Sequence, residues 1–202
     1  MSEASGLHDD AATAPATTVE EYDAFLSELM STRPDLIPTT PRFASLQMGD
    51  RVSMLKRSFV DLYLLRLIFR SMASENRLMF SDSILLTSDE CLSLGWNDDV
   101  IRSSLSLVDQ FKKLNIDKNE FAVLYVPNLI NRQQVLVAQN NLIACLQHYN
   151  NCRFRGDRNR PGRIIMRLVS IRSTSSGILK QFVKCTLEGH VQMDDLVIEM
   201  MS

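Results

Sequence analysis

The side chains of this 202-residue sequence offer few sets spaced for catalysis or metal binding. Cys145 and His148 stand three apart, so one helix face could present a thiol and an imidazole together. Two ligands are too few for a metal unless distant residues join them; the plainer reading is a packed thiol beside a surface imidazole. The cysteines, Cys91, Cys145, Cys152 and Cys185, include no C-x-x-C pair, which excludes a zinc finger. No Gly-rich phosphate loop, nucleophile elbow or H-E-x-x-H is present. An enzyme is therefore not expected. Arg153, Arg155, Arg158, Arg160 and Arg163 crowd one stretch, with only Asp157 to offset them. Arginine forks pair well with phosphate, but the expected reading is a solvated inter-helix loop. Arg155-Gly156-Asp157 spells a cell-adhesion tripeptide, best read as chance in a chain showing no export signal.

The C-terminal end carries more. Leu196-Val197-Ile198-Glu199-Met200-Met201 places apolar residues around one acid on a helix. Such a helix can dock on an apolar groove and hold its carboxylate at the rim, where it can bond the free N–H groups that begin a partner helix.

The elements that would position these residues are mostly helical. Seven glycines and six prolines are about half the usual share, too few for the tight turns of a β-sandwich or barrel. Apolar residues make up 45% and charged residues 23%, an ordinary globular mix, and the net charge of −2 does not call for nucleic acid as a direct partner. Sparse cysteines suit a reducing compartment, and no apolar run approaches the ~20 residues of a membrane helix. Residues 1–17 read as a disordered tail. A capping box at Thr18–Glu21 opens a helix with apolar Val19, Tyr22, Phe25, Leu26, Leu29 and Met30. Pro34, Pro38 and Pro41 then stop or kink it.

From Gly49 to Met72 the spacing predicts a central, buried helix with Leu55, Phe59, Leu62, Leu65 and Phe69 on one side, widened by Met54, Leu64, Leu67 and Ile68. Apolar triplets around Ser81-Asp82-Ser83 predict a hairpin. Helical stripes follow at Val100–Phe111, after the cap Asp117 with Phe121, Leu124 and Tyr125, and at Val135–Leu146. Residues 150–162 read as a loop, and two further helical stretches are expected near 163–172 and 176–187. There is no internal repeat; a single helical domain spanning residues 18–202 is expected.

One run is distinctive: Phe43-x-x-Leu46-x-x-x-Asp50-Arg51-x-x-x-Leu55-Lys56-x-x-Phe59-x-Asp61-Leu62-x-x-Leu65-Arg66. It resembles the signature of nuclear receptor ligand-binding domains. Within that superfamily Ser58–Ser71, Arg77-Leu78-Met79-Phe80, Asn115-Ile116-Asp117-x-x-x-Phe121, Asn159-Arg160-Pro161 and the terminal hexapeptide look most like the Nur-type (NGFI-B and Nurr) orphan receptors, in the right order.

The resemblance implies an all-α, three-layer antiparallel helical sandwich with one short β-hairpin. It implies a domain that lacks the family's helix 1 and any DNA-binding module, located in the nucleus and regulating transcription, with no cofactor and no membrane partner. Coregulators would dock in a groove formed by Leu46, Asp50, Arg51, Leu55 and Lys56 together with Leu196, Val197, Glu199, Met200 and Met201 of the terminal helix. Glu199 would clamp one end of a Leu-x-x-Leu-Leu helix. The usual opposing lysine falls on Pro38, so Lys56 or Arg51 is the candidate for the positive end. Ligand-facing family positions fall on Val60, Tyr63, Leu64, Leu67, Arg70 and Phe80. The bulk of Tyr63 and Phe80 suits a filled pocket, so a lipophilic ligand is not required. Arg70 would bind either a polar ligand group or backbone carbonyls. Ile178, Leu179 and Phe182 would form a dimer surface for a second copy or another nuclear receptor. The alternative role is a DNA-binding-deficient dimerisation partner or interfering isoform; DNA would be reached only through a domain this chain does not contain.

Overall fold

The computed structural model describes residue 20, residues 47–124 and 132–189, and residues 195, 198 and 199, with only the helical backbone at 132–139. The expected tail at 1–17 and most of the 18–30 helix, with the prolines after it, lie outside the described residues. Along the chain run α1 (Met48–Ser71), β1 (Arg77–Ser81), β2 (Ile84–Thr87), α2 (Ser88–Ser93), α3 (Asp98–Leu114), α4 (Lys118–Leu124), α5 (Arg132–Arg153) and α6 (Arg160–Leu187). The fold is all-α with one small antiparallel sheet among the described residues, as the composition and the hairpin pattern predict.

Burial in α1 is concentrated differently from the expectation. Met54, Leu64, Leu65, Leu67 and Ile68 are buried, whereas Phe59 keeps 36% of its surface and Leu55 and Leu62 are half-buried. The reason lies in what meets the helix. Its last turn is tied to the hairpin through buried Ser71, which donates to the Leu67 carbonyl at 2.7 Å and accepts from the Met79 amide at 2.8 Å. Lys112 of α3 also donates to the Ser74 carbonyl just beyond. Leu64, Leu67 and Ile68 thus join Leu78, Ile101, Leu107, Phe111 and Ile178 in one core, and Phe69 stacks on Phe121 with ring centroids 4.0 Å apart.

Local chemistry sets the helix ends. Thr87 and Glu90 form a reciprocal capping box that starts α2, and the Thr87 amide and hydroxyl, both donating to Glu90 Oε2, hold that carboxyl below its usual pKa. Asn97 accepts from the Asp99 amide to start α3, and Asn115 ends it in the left-handed conformation at φ 48°. Asp117 caps α4 as predicted, accepting from the Asn119 and Glu120 amides.

Two expectations about the last third of the chain need correction. The loop between α5 and α6 covers only 154–159, with Gly156 at φ +103° making its turn. Pro161 sits in the first turn of α6, where a missing amide costs nothing. The two stretches expected near 163–172 and 176–187 are one 28-residue helix. It continues through Ser173–Gly177 because Ile171, Ser175 and Ile178 are buried on one face, and packing outweighs the poor helix propensity of serine and glycine.

Tyr149 of α5 donates to Asp117 Oδ2 at 2.6 Å, linking that helix to the α4 cap. Burial first, and the bond to Asp117 second, hold its pKa above the ordinary tyrosine value. The stabilisation from this bond is fully present below about pH 10, the unfolded tyrosine value, and is lost as pH rises through the higher folded value. Tyr149→Phe should cost about 1 kcal/mol at neutral pH, allowing for partial exposure. It should also make the alkaline fall in urea stability shallower; an alkaline limb unchanged from wild type contradicts this role.

Candidate functional site

The first turns of α1 carry Asp50, Arg51, Leu55 and Lys56. Lys56 Nζ lies 3.5 Å from Glu199 Oε1, and both Ile198 and Glu199 are helical and exposed. The structure therefore brings the start of α1 and the terminal segment together. Leu46, Leu196, Val197, Met200 and Met201 lie outside the described residues. A Leu-x-x-Leu-Leu helix spans about 7.5 Å, so two charges in direct contact do not mark its opposite ends. Lys56 here stands with the acid. Arg51 lies about 7 Å farther back along the helix. With side chains 29% and 65% exposed, the Lys56–Glu199 pair contributes at most about 1 kcal/mol.

The residues expected to face a ligand are dispersed among tighter contacts. Leu64 and Leu67 belong to the core, at 0% and 3% exposure. Phe80 packs on Trp96 at 5.2 Å between ring centroids, and Trp96 meets Phe182 edge-on at 6.1 Å. Arg70 reaches the hairpin turn, 3.9 Å from Asp82. Val60 is half-buried against the core. Tyr63 keeps 36% of its surface, yet burial of its ring end raises the hydroxyl pKa, with a smaller push from the Cys91 thiol. An open apolar groove of about 540 Å3 lies on another side of α1, between Leu62, Leu65, Leu124, Leu146, Ile165 and Leu168. None of the six expected pocket residues lines it.

The residues expected to form a dimer surface lie at different depths. Ile178 is 1% exposed, Leu179 is half-buried, and Phe182 packs on Trp96. Ile171, Ile178 and Phe182 fall on the inward face of α6 because 100° per residue brings seven- and four-residue steps nearly into line. The outward face carries Met166, Val169, Val183 and Leu187, all exposed.

The arginine cluster is also corrected, because Arg160 is not a solvated loop residue. Its Nε and Nη2 donate to the two carboxylate oxygens of buried Glu120, each at 2.7 Å, while Nη1 and Nη2 donate to the Leu114 and Asn115 carbonyls. Its guanidinium lies 3.9 Å from the centre of the Phe154 ring. Hydrogen bonding to Glu120 is the main reason its pKa is raised further. Arg163 pairs with Asp157, and Arg153 lies 3.5 Å from Asp117. Arg155 and Arg158 are exposed. On α5, Cys145 is buried and His148 is half-buried, with Cys152 Sγ 3.8 Å from His148 Nε2. No group of three metal-ligating side chains occurs among the described residues.

Comparison with known proteins decides the family. The family profile described as the ligand-binding domain of nuclear hormone receptor matches residues 14–187. The chain belongs to this family. Its members are ligand-regulated transcription factors rather than enzymes. Curated relatives include estrogen-related receptor gamma of Homo sapiens, 28% identical over 169 residues, covering 80% of this chain and 37% of that protein. Steroid hormone receptor ERR2 of Mus musculus is 27% identical over 169 residues, covering 80% of this chain and 39% of that protein. The chain thus spans less than two fifths of the length of these relatives. The Nur-type assignment is not supported, since these relatives are estrogen-related receptors. The Phe43–Arg66 signature is a superfamily pattern and does not separate its branches. The family match stops at Leu187, short of the terminal helix. No described helix is long and apolar enough to cross a membrane.

The orientation of α6 predicts different outcomes for neighbouring residues. Phe182→Ala should lose about 2–3 kcal/mol by leaving a void against Trp96. Val183→Ala should stay within about 0.5 kcal/mol of wild type. Urea unfolding of both variants checks this; equal losses contradict the orientation of α6.

Proposed function

We propose that this chain regulates transcription in the nucleus by recruiting coregulators to a groove between the start of α1 and its terminal helix, without needing a small-molecule ligand. The observation that carries this reading is the approach of Glu199 to Lys56. The groove proposed from the sequence pattern comprises Leu46 and Leu55 with Leu196, Val197, Met200 and Met201, and Glu199 would be the acid at its rim, the chemistry needed to bond the amides that open a short amphipathic helix. Arg51 is the candidate cation for the other end. Ligand independence is supported by the side chains already occupying the expected ligand space, Leu64 and Leu67 in the core and Phe80 against Trp96. The mechanism is a population shift of the terminal helix between docked and undocked states.

Fluorescence polarisation with labelled Leu-x-x-Leu-Leu and corepressor peptides tests this. Wild type should bind at least one class, and Glu199→Ala should weaken Leu-x-x-Leu-Leu binding by about tenfold, or 1.4 kcal/mol. Wild-type protein that binds neither peptide contradicts it.

A second reading, a dimerising partner that carries no DNA-binding module in this chain, draws on the exposed apolar face of α6. Sedimentation should then show a dimer that Val183→Asp dissociates. An unchanged state in that variant removes the reading.

A further inference from the structure

The arginine-rich turn between α5 and α6 holds more positive charge than its acids neutralise. Glu120 takes Arg160, Asp157 takes Arg163, and Asp117 lies beside Arg153. Arg155 and Arg158 have no such partner among the described residues. The two are not equivalent. Arg158 lines an open cavity of about 480 Å3, and Arg155 does not. The other lining residues are Gln147 and Asn151, one turn apart on α5, and buried Pro161 at the start of α6. We infer that this cavity binds a small, hydrophilic phosphate monoester.

Three observations carry the inference. First, the lining chemistry is one-sided. A guanidinium fork can bond two phosphate oxygens at once, and each carboxamide brings N–H donors for a third oxygen or for the hydroxyls of the attached body. No carboxylate among the described residues lines the cavity. Asp157, next to Arg158 in the chain, is already engaged by Arg163. Second, the start of α6 adds to the positive field. Asn159 makes no side-chain cap bond, and the first turn of this 28-residue helix has no acid. Its positive end is therefore not offset from within the helix. Third, size and polarity select the ligand. The volume falls within the roughly 300–1,000 Å3 of small-molecule sites, and a phosphate group of five heavy atoms fills only part of it. Pro161 is the one apolar residue in the described lining, so a lipophilic body would gain little by burial. Two carboxamides suit a body that carries hydroxyls, such as a sugar. The floor is held in place, because Arg160, the residue before Pro161, is locked to Glu120 and to the Leu114 and Asn115 carbonyls. The cavity uses none of the residues assigned to coregulator binding.

Isothermal titration of the full chain at low salt, with glucose 6-phosphate, inorganic phosphate and glucose as probes, tests this independently of any coregulator. Glucose 6-phosphate should bind one to one with a Kd below about 1 mM. Inorganic phosphate should bind at least about threefold more weakly, and glucose should give no signal. Arg158→Gln should weaken the ester at least about tenfold. Asn151→Asp, which keeps every arginine but places an acid in the wall, should do the same. Arg155→Gln, outside the cavity, should stay within about twofold of wild type. All three positions are exposed, and circular dichroism melting checks that each variant folds. The inference is overturned by a Kd above about 1 mM for the ester, or by inorganic phosphate binding as tightly as the ester. Equal weakening by Arg155→Gln and Arg158→Gln also overturns it, since the attraction would then be diffuse charge.

Discussion

The buried pair of Glu120 and Arg160 is the constraint on which the rest of the architecture depends. Two charges with side chains 0% and 7% exposed are tolerated only when nearly every lone pair and N–H is matched. Here the guanidinium bonds both carboxylate oxygens and two carbonyls at the end of α3, and Glu120 also accepts from the Asp117 amide. One side chain therefore fixes the start of α6, the start of α4 and the end of α3 together. A well-packed apolar pair could be equally stable; what the ion pair adds is that a shift of any of the three ends strands a charge. The Phe154 ring, 3.9 Å from the guanidinium centre, shields it from the loop side.

From that knot the remaining contacts follow in order. With α3 and α6 held, Ile101, Phe111, Ile171 and Ile178 bury the last half of α1. Ser71 ties α1 to the hairpin, and Phe80 on that hairpin completes the contact with Trp96 and Phe182. The first half of α1 carries Arg51, Leu55 and Lys56, and it is this half that Glu199 meets.

Much of this was readable in the residues, for local reasons. The hairpin shows as two apolar triplets around Ser81-Asp82-Ser83, and the α4 cap shows as Asp117-x-x-Glu120. The α1 helix is evident from its length without proline, but not which of its faces is buried, since it is apolar nearly all round and only its neighbours decide. The α6 helix hides its continuity behind Ser173–Gly177 because burial of Ser175 and Ile178 is a tertiary effect. The Glu120–Arg160 pair was the least legible feature. Nothing in spacing separates Arg160 from Arg155 or Arg158, and its partner lies 40 residues away. A useful signal was present all the same: Glu120 precedes Phe121, Val123 and Leu124, so a charged residue shares a short helix with three that must be buried. Of the proposed groove, Lys56 and Glu199 could be singled out by charge, but their direct contact could not be read from the chain.

A double-mutant cycle across the buried pair tests the central claim most directly, with stability measured by urea unfolding of Glu120→Gln, Arg160→Met and the double variant. Each single change should cost about 3–5 kcal/mol by leaving the other partner buried and unmatched. The double variant should cost well below the sum, giving a coupling of about 2–3 kcal/mol. Single losses below about 1 kcal/mol that simply add would contradict the claim that this pair fixes the three helix ends.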